Sequence, residues 1–103
     1  FAIQTEDGVK VPDVVWLTPE ELATARDVSI TDKAPRICVE VKSKGNTAKE
    51  IGGKAQLYFA QGAKEVWVCD LKGNVSFLTE KDGPVSHSCL CPTFPTLIDP
   101  FTI

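Results

Sequence analysis

Two short, mostly apolar segments around a polar turn predict a β-hairpin at the start of the chain. Residues 1–4 and 9–11 flank residues 6–8, which read Glu-Asp-Gly and are typical of a tight turn. Pro12 cannot donate a backbone hydrogen bond, so we expect it at a sheet edge or a bulge. Residues 13–17 are apolar enough to predict that extended structure resumes there.

A short helix is predicted next. Thr18 can cap it, Pro19 suits the first helical position, and Glu21 completes a capping box with Thr18. We expect this helix to end near Arg26, and the polar residues 27–35 to form a loop.

A strand–helix–strand unit is the clearest pattern in the chain. Residues 36–42 are β-branched and apolar on alternate positions, and residues 64–70 are apolar on both faces, which predicts a buried central strand. Between them, Thr47 with Glu50 forms a second capping box, and the helix is expected to run to about Gln61. Two strands joined in this way should be parallel, with a right-handed crossover.

The last third of the chain predicts another hairpin and an irregular tail. Residues 72–74 and 82–84 read as turns on either side of the strand at 75–78, and prolines break the pattern after Cys91. The fold class is therefore α/β, with a mixed sheet built around a central strand–helix–strand crossover. One covering helix is few for such a sheet, so we expect a further helix upstream of Phe1.

Two charged residues in the strand at 36–42 need a partner. Glu40 and Lys42 are two positions apart, so their side chains leave the same face of the strand. If the strand that begins at Asp13 pairs with this one, Asp13 and Glu40 converge and could hold Mg²⁺, which prefers hard oxygen ligands. The alternative is an ordinary ion pair on a solvated face, with Asp13 in a turn; on its own, this pattern of three common residues is weak.

Length and charge set limits on these interpretations. The 103 residues suffice for one domain over 1–103, and the first residue is Phe with no Met in the chain, so we expect a fragment of a longer protein. The net charge of −3 disfavours nucleic-acid binding, but residues 33–54 carry a net charge of +4. This basic segment fits either anion binding or a solvated lysine-rich surface, about equally well.

The cysteines give little indication of a site. Cys38 and Cys69 lie in apolar strands and should behave as small hydrophobic residues. His87, Cys89 and Cys91 lack the spacing of zinc ligands, and nothing indicates a disulfide framework. The chain has no apolar run long enough to cross a bilayer, and we expect it to be cytoplasmic.

Four sequence segments, taken together, resemble a known family, and their combination is more specific than any one of them. The sequence resembles the Uma family of restriction-endonuclease-like proteins, within the PD-(D/E)XK nuclease superfamily, over roughly residues 9–78. The segments that carry this resemblance are Val-Pro-Asp-Val-Val at 11–15, Cys-Val-Glu-Val-Lys-Ser at 38–43, Lys-Ala-Gln-Leu-Tyr at 54–58 and Gly-Ala-Lys-Glu-Val-Trp-Val-Cys-Asp at 62–70.

The resemblance implies an activity and a set of site residues. It implies a restriction-endonuclease-like fold and a Mg²⁺- or Mn²⁺-dependent endonuclease acting on DNA. Asp13, Glu40 and the Val41 carbonyl would bind the metal, and Lys42 would be the catalytic lysine that assists the attacking water. Many members of the family lack this lysine, so the chain is nearer to the active nuclease pattern than they are.

Further residues follow from the resemblance and from the basic segment. Lys44, Lys49 and Lys54 would contact DNA, and Gln56 and Tyr58 are accessory candidates whose ordinary interpretation is surface and core packing. Superfamily members often have another acidic ligand on a helix upstream of this Asp, in a region that the sequence does not include. The sequence does not define the oligomeric state, and a homodimer is one alternative. The alternatives are a catalytically inactive nuclease-fold module for binding or assembly, and a structural domain that contacts a partner through Trp16 or the prolyl tail.

Overall fold

The structure is a computed structural model that describes residues 1–25 and 30–98. Its elements in chain order are β1 (Ala2–Thr5), β2 (Gly8–Lys10), β3 (Val14–Trp16), α1 (Pro19–Ala25), β4 (Ile30–Thr31), β5 (Ile37–Val41), α2 (Ala48–Ala60), β6 (Glu65–Cys69), β7 (Val75–Thr79) and β8 (Gly83–Val85). Neither helix in these ranges is long and apolar enough to cross a membrane.

The larger sheet has five strands in the order β3-β5-β6-β7-β8. Strands β5 and β6 pair in parallel and are connected through α2, while the other neighbouring strands pair antiparallel. This is the predicted mixed sheet with its central strand–helix–strand unit, and the α/β fold class is confirmed.

Helix α2 lies between the larger sheet and the first hairpin. Thr47 caps it by accepting a hydrogen bond from the Glu50 backbone N–H, as the capping box predicts. Ala55 and Tyr58 of the helix pack with Ile3 of β1 on one side and with Cys38 of β5 on the other. The helix therefore contributes to one continuous core and fixes the side chains that its sheet-facing surface presents to β5.

The first hairpin does not join the larger sheet. Strands β1 and β2 pair as predicted, but β1 also pairs in parallel with β4, which makes a separate three-stranded sheet in the order β2-β1-β4. The expectation of one sheet was incomplete, and the predicted loop at residues 27–35 contains β4. A strand of two residues gives no periodic signal in the sequence. The predicted end of α1 near Arg26 and the first residues of the following loop lie outside the described residues.

The predicted turn at residues 82–84 was partly wrong. Gly83 and Pro84 belong to β8, the edge strand, and only Asp82 lies in the turn before it. Proline is compatible with this position because an edge strand leaves one row of backbone N–H groups unpaired. Beyond β8 the chain is irregular, as expected, and returns along the sheet through an isolated bridge between Asn74 and Leu97.

Candidate active site

The pairing of β3 with β5 brings Asp13 next to Glu40. Val14 lies opposite Val39 in this antiparallel pair, and continuing the register by one residue places Asp13 opposite Glu40. Asp13 Oδ2 accepts a 2.7 Å hydrogen bond from the backbone N–H of Val41, which fixes the carboxylate at the end of β5. The two acidic residues that the sequence singled out therefore meet at one edge of the sheet.

Glu40 is buried, with 2% of its surface exposed. A buried carboxylate needs partners, and α2 supplies two of them. The Tyr58 hydroxyl donates a 2.5 Å hydrogen bond to Glu40 Oε1, and Lys54 Nζ lies 3.7 Å from Glu40 Oε2. The carboxylate is thus held from one side by the helix and faces Asp13 on the other.

The surroundings of Glu40 raise its pKa above the ordinary value of a glutamate. Burial raises this pKa most strongly, and the Tyr58 hydrogen bond and the Lys54 charge oppose the rise. The neighbouring Asp13 carboxylate raises the pKa of Glu40 further. Two acids this close repel each other when both are ionised, and a bound cation relieves that repulsion.

The oxygen ligands at this edge of the sheet fit Mg²⁺ or Mn²⁺ better than a metal whose ligands all come from protein side chains. Asp13 and Glu40 offer two carboxylates, and the adjacent Val41 offers a backbone carbonyl. Within residues 1–25 and 30–98, no group of three or more His, Cys, Asp or Glu side chains could hold a metal. Mg²⁺ is commonly bound by one or two carboxylates and retains several waters, so this donor set suffices for it.

Lys42 follows β5 directly and lies on the same face as Glu40, but it has different neighbours. It is half-buried and lines a groove of about 390 Å³ together with Asp70 and Ser76. In the described part of the chain it has no carboxylate within 4.0 Å, whereas Lys54 does. Lys54 is therefore the lysine in contact with Glu40, whereas the groove that Lys42 lines includes neither Asp13 nor Glu40 among its described lining residues.

The remaining sequence candidates are distributed differently. Lys44 and Lys49 are exposed, and so is Gln56, whose side chain makes no hydrogen bond to the described residues. Tyr58 is fully buried in the core and also donates a hydrogen bond to Glu40, so core packing and contact with the candidate site occur together in this residue. The sequence assigned Lys54 to DNA contact; its position four residues before Tyr58 is the signal that both side chains reach the same strand.

A second buried carboxylate, Glu65, was missed by the sequence reasoning. It is 1% exposed at the start of β6 and accepts four hydrogen bonds. Its donors are the Trp67 indole, the Ser88 hydroxyl and the backbone N–H groups of Cys89 and Leu90. This carboxylate fixes the segment after β8 on the sheet and is remote from Asp13, so its role is structural.

The sheet face opposite α2 carries an apolar groove of about 480 Å³. Val39, Val41 and Trp67 line it, and so does Trp16, which is 51% exposed. Among residues 1–25 and 30–98, no carboxylate lines this groove, so it does not include the acidic pair. Cys69 and Cys91 also line it, and all four cysteines are free thiols, as expected from the sequence.

The fold and a family comparison together define the class of protein. The sheet is mixed and is built around a parallel strand–helix–strand unit. Residues 1–93 match the Uma2 family, described as "Putative restriction endonuclease". The chain belongs to this family.

One solved structure with this fold is described as a "putative nuclease belonging to DUF820" from Anabaena variabilis. It superposes with a TM-score of 0.67 at 15% sequence identity, over 82% of this chain. The alignment spans 49% of that protein, so the chain corresponds to about half of its length. Among curated proteins, no sequence matches.

Proposed function

We propose that the protein is a divalent-metal-dependent endonuclease that hydrolyses phosphodiester bonds in DNA. The observation that carries this proposal is the convergence of Asp13 and Glu40 at the edge formed by β3 and β5. Membership of a restriction-endonuclease family supports a nucleic acid as the substrate.

Asp13, Glu40 and the Val41 carbonyl would hold the metal. When bound there, Mg²⁺ or Mn²⁺ would lower the pKa of a coordinated water and stabilise negative charge on the scissile phosphate. The chain prepares these ligands itself: the Val41 N–H orients Asp13, and Tyr58 orients Glu40. Such fixed ligands cost little reorganisation during the reaction.

Lys42 would orient the attacking water and offset charge that develops on the phosphate. It extends from the same face of β5 as Glu40, and it is free of any carboxylate within 4.0 Å in the described residues. Lys44 and Lys49 are exposed near the same end of the sheet and α2 and would neutralise backbone phosphates. Arg36 belongs to the same basic segment but lies at the other end of β5, where it pairs with Glu21.

Plasmid cleavage tests this proposal. Full-length protein should nick or linearise supercoiled DNA in Mg²⁺ or Mn²⁺, and Glu40→Gln and Lys42→Ala should each lower the rate by about 10²-fold or more. Glu50→Gln is the matched control, because Glu50 is exposed on α2 and its loss should leave the rate unchanged. Equal cleavage by wild type and Glu40→Gln would contradict the proposal.

A catalytically inactive binding or assembly module is the second candidate. The net charge of −3 favours it, and so does the ion pair that already occupies one oxygen of Glu40. A protein of this kind would show no measurable Mg²⁺ or Mn²⁺ binding in a calorimetric titration, whereas the nuclease would bind metal and lose it on Glu40→Ala.

A further inference from the structure

The two oxygens of Glu40 have different partners. Oε1 accepts the Tyr58 hydroxyl at 2.5 Å, and Oε2 faces the Lys54 ammonium at 3.7 Å. A hydrogen bond to a buried carboxylate is strongly retained, because breaking it leaves a buried acceptor without a partner. Oε2 is therefore the oxygen of Glu40 that a metal would use, and it is the one that Lys54 neutralises.

Lys54 can move away from Glu40, but Glu40 cannot move away from Lys54. The glutamate side chain is 3% exposed and is bonded to Tyr58, whereas the lysine side chain is 39% exposed. At 3.7 Å the ammonium is beyond hydrogen-bonding distance, so the contact is an ion pair of modest strength. A flexible four-carbon stem allows the ammonium to withdraw toward solvent at low cost.

We propose that Lys54 competes with the divalent metal for Glu40 Oε2. A metal that binds this oxygen has to displace the ammonium or share the carboxylate with it, and either event weakens metal binding. Because Lys54 is anchored on α2 beside the site, the displaced ammonium stays within reach of a phosphate of the bound DNA. Metal loading and substrate contact are thereby coupled through one side chain, a role distinct from that of Lys42.

This inference rests on the proposed function, because it takes Glu40 as a metal ligand. Competition predicts that removing the Lys54 charge increases the affinity for the metal and raises the KM for DNA. A lysine that merely stabilised the fold, or that merely added positive charge for DNA, would not strengthen metal binding beyond the effect of net charge. A matched change of charge elsewhere on α2 separates these cases.

Mn²⁺ titration of full-length protein provides the test. Lys54→Met should bind Mn²⁺ roughly 3- to 30-fold tighter than wild type, as expected for removing one like charge close to the ion. Lys49→Met makes the same change in net charge at an exposed position of α2 and should change the affinity less than about 2-fold. Lys54→Arg keeps the charge and should stay near the wild-type affinity.

DNA cleavage gives the second readout. At saturating Mn²⁺, Lys54→Met should show a KM for DNA raised about 3-fold or more relative to Lys81→Met, because it lacks the ammonium beside the scissile phosphate. Lys81→Met removes the same charge at an exposed turn outside the basic segment. Equal Mn²⁺ affinities of Lys54→Met and Lys49→Met would contradict the proposal that Lys54 competes with the metal for Glu40.

Glu40→Gln separates a failure of this inference from a failure of the proposed function. If Glu40→Gln abolishes Mn²⁺ binding but Lys54→Met binds no tighter than Lys49→Met, the competition is wrong and the metal site stands. If wild type binds no Mn²⁺, or binds it as tightly as Glu40→Gln does, both proposals are overturned.

Discussion

The Tyr58 hydroxyl donates a 2.5 Å hydrogen bond to Oε1 of Glu40, and through it helix α2 holds the buried carboxylate of β5. Both residues are almost fully buried, so no water replaces this bond if it is lost. Burial raises the pKa of Tyr58, and Glu40 raises it further, so the phenol is protonated at neutral pH and donates this hydrogen bond. The site and the core thus share one interaction.

Tyr58→Phe should therefore destabilise the protein without creating a cavity. The ring is kept and one hydrogen bond to a buried carboxyl group is removed, which costs about 1–3 kcal/mol in the free energy of unfolding. Urea denaturation of full-length protein measures this change.

Gln56→Ala is the control for Tyr58→Phe, because Gln56 is exposed on the same helix and should change the unfolding free energy by less than about 0.5 kcal/mol. A double-mutant cycle with Glu40→Gln assigns the loss to the Tyr58–Glu40 pair. If Tyr58→Phe and Gln56→Ala are equally stable, the hydrogen bond does not hold α2 on the sheet.

Glu65→Gln should destabilise the chain more than a surface substitution of the same kind. The neutral amide loses charge-assisted bonds from the backbone N–H groups of Cys89 and Leu90, each of which contributes about 1.5–3 kcal/mol when the acceptor is charged. We expect a loss of several kcal/mol in unfolding free energy and faster amide hydrogen exchange at residues 88–91. Glu50→Gln is the matched control, and similar values for the two variants would show that Glu65 is dispensable.

Acid should weaken the Glu65 anchor at a defined pH. Burial alone would raise the pKa of Glu65, but hydrogen bonds from Ser88, Trp67, Leu90 and Cys89 outweigh it and hold the pKa below the ordinary 4.5. The unfolded chain therefore binds the proton first, and the stabilisation present above pH 4.5 is lost as the pH falls below it. Unfolding free energies measured from pH 6 to pH 3 should fall more steeply for wild type than for Glu65→Gln; parallel curves would contradict this.

Gly73→Ala should be strongly destabilising. Gly73 has a φ of +89°, and a Cβ atom at this position would overlap the carbonyl oxygen of Ile98. The left-handed conformation alone costs a non-glycine residue about 1–2 kcal/mol, and the overlap also endangers the 2.8 Å bond from the Ile98 N–H to the Gly73 carbonyl. Thermal unfolding should show the loss, while Gly45→Ala, with open space around its Cβ, should stay within about 0.5 kcal/mol of wild type.

The helix caps are predicted from the sequence because their contacts are local: the hydroxyls of Thr18 and Thr47 each accept a hydrogen bond from the N–H three residues on. The convergence of Asp13 and Glu40 is different. The sequence identified both residues but made their convergence conditional on strand pairing, since Asp13 accepts its hydrogen bond from Val41, 28 positions away. The pairing of β3 with β5 then brings the residue before β3 to the end of β5.

Contacts between distant segments could not be predicted in this way. The donors to Glu65 come from residues 88–90, more than 20 positions away, in a stretch without periodicity. The contact of Lys54 with Glu40 depends on how α2 is rotated over the sheet, and lysine on a helix is usually solvated. The same rotation leaves Gln56 exposed, although it lies between Lys54 and Tyr58 in the chain.

Binding of Mn²⁺ to full-length protein, followed by calorimetry for wild type and Asp13→Asn, tests the central claim most directly. Asp13 is exposed and its substitution removes one carboxylate without disturbing the core, so a change in affinity reports on the site and not on folding. The acidic pair predicts one Mn²⁺ per chain and binding at least about 10-fold weaker in Asp13→Asn, with Glu50→Gln unchanged. Equal affinity of wild type and Asp13→Asn would contradict the claim that Asp13 and Glu40 form a metal site.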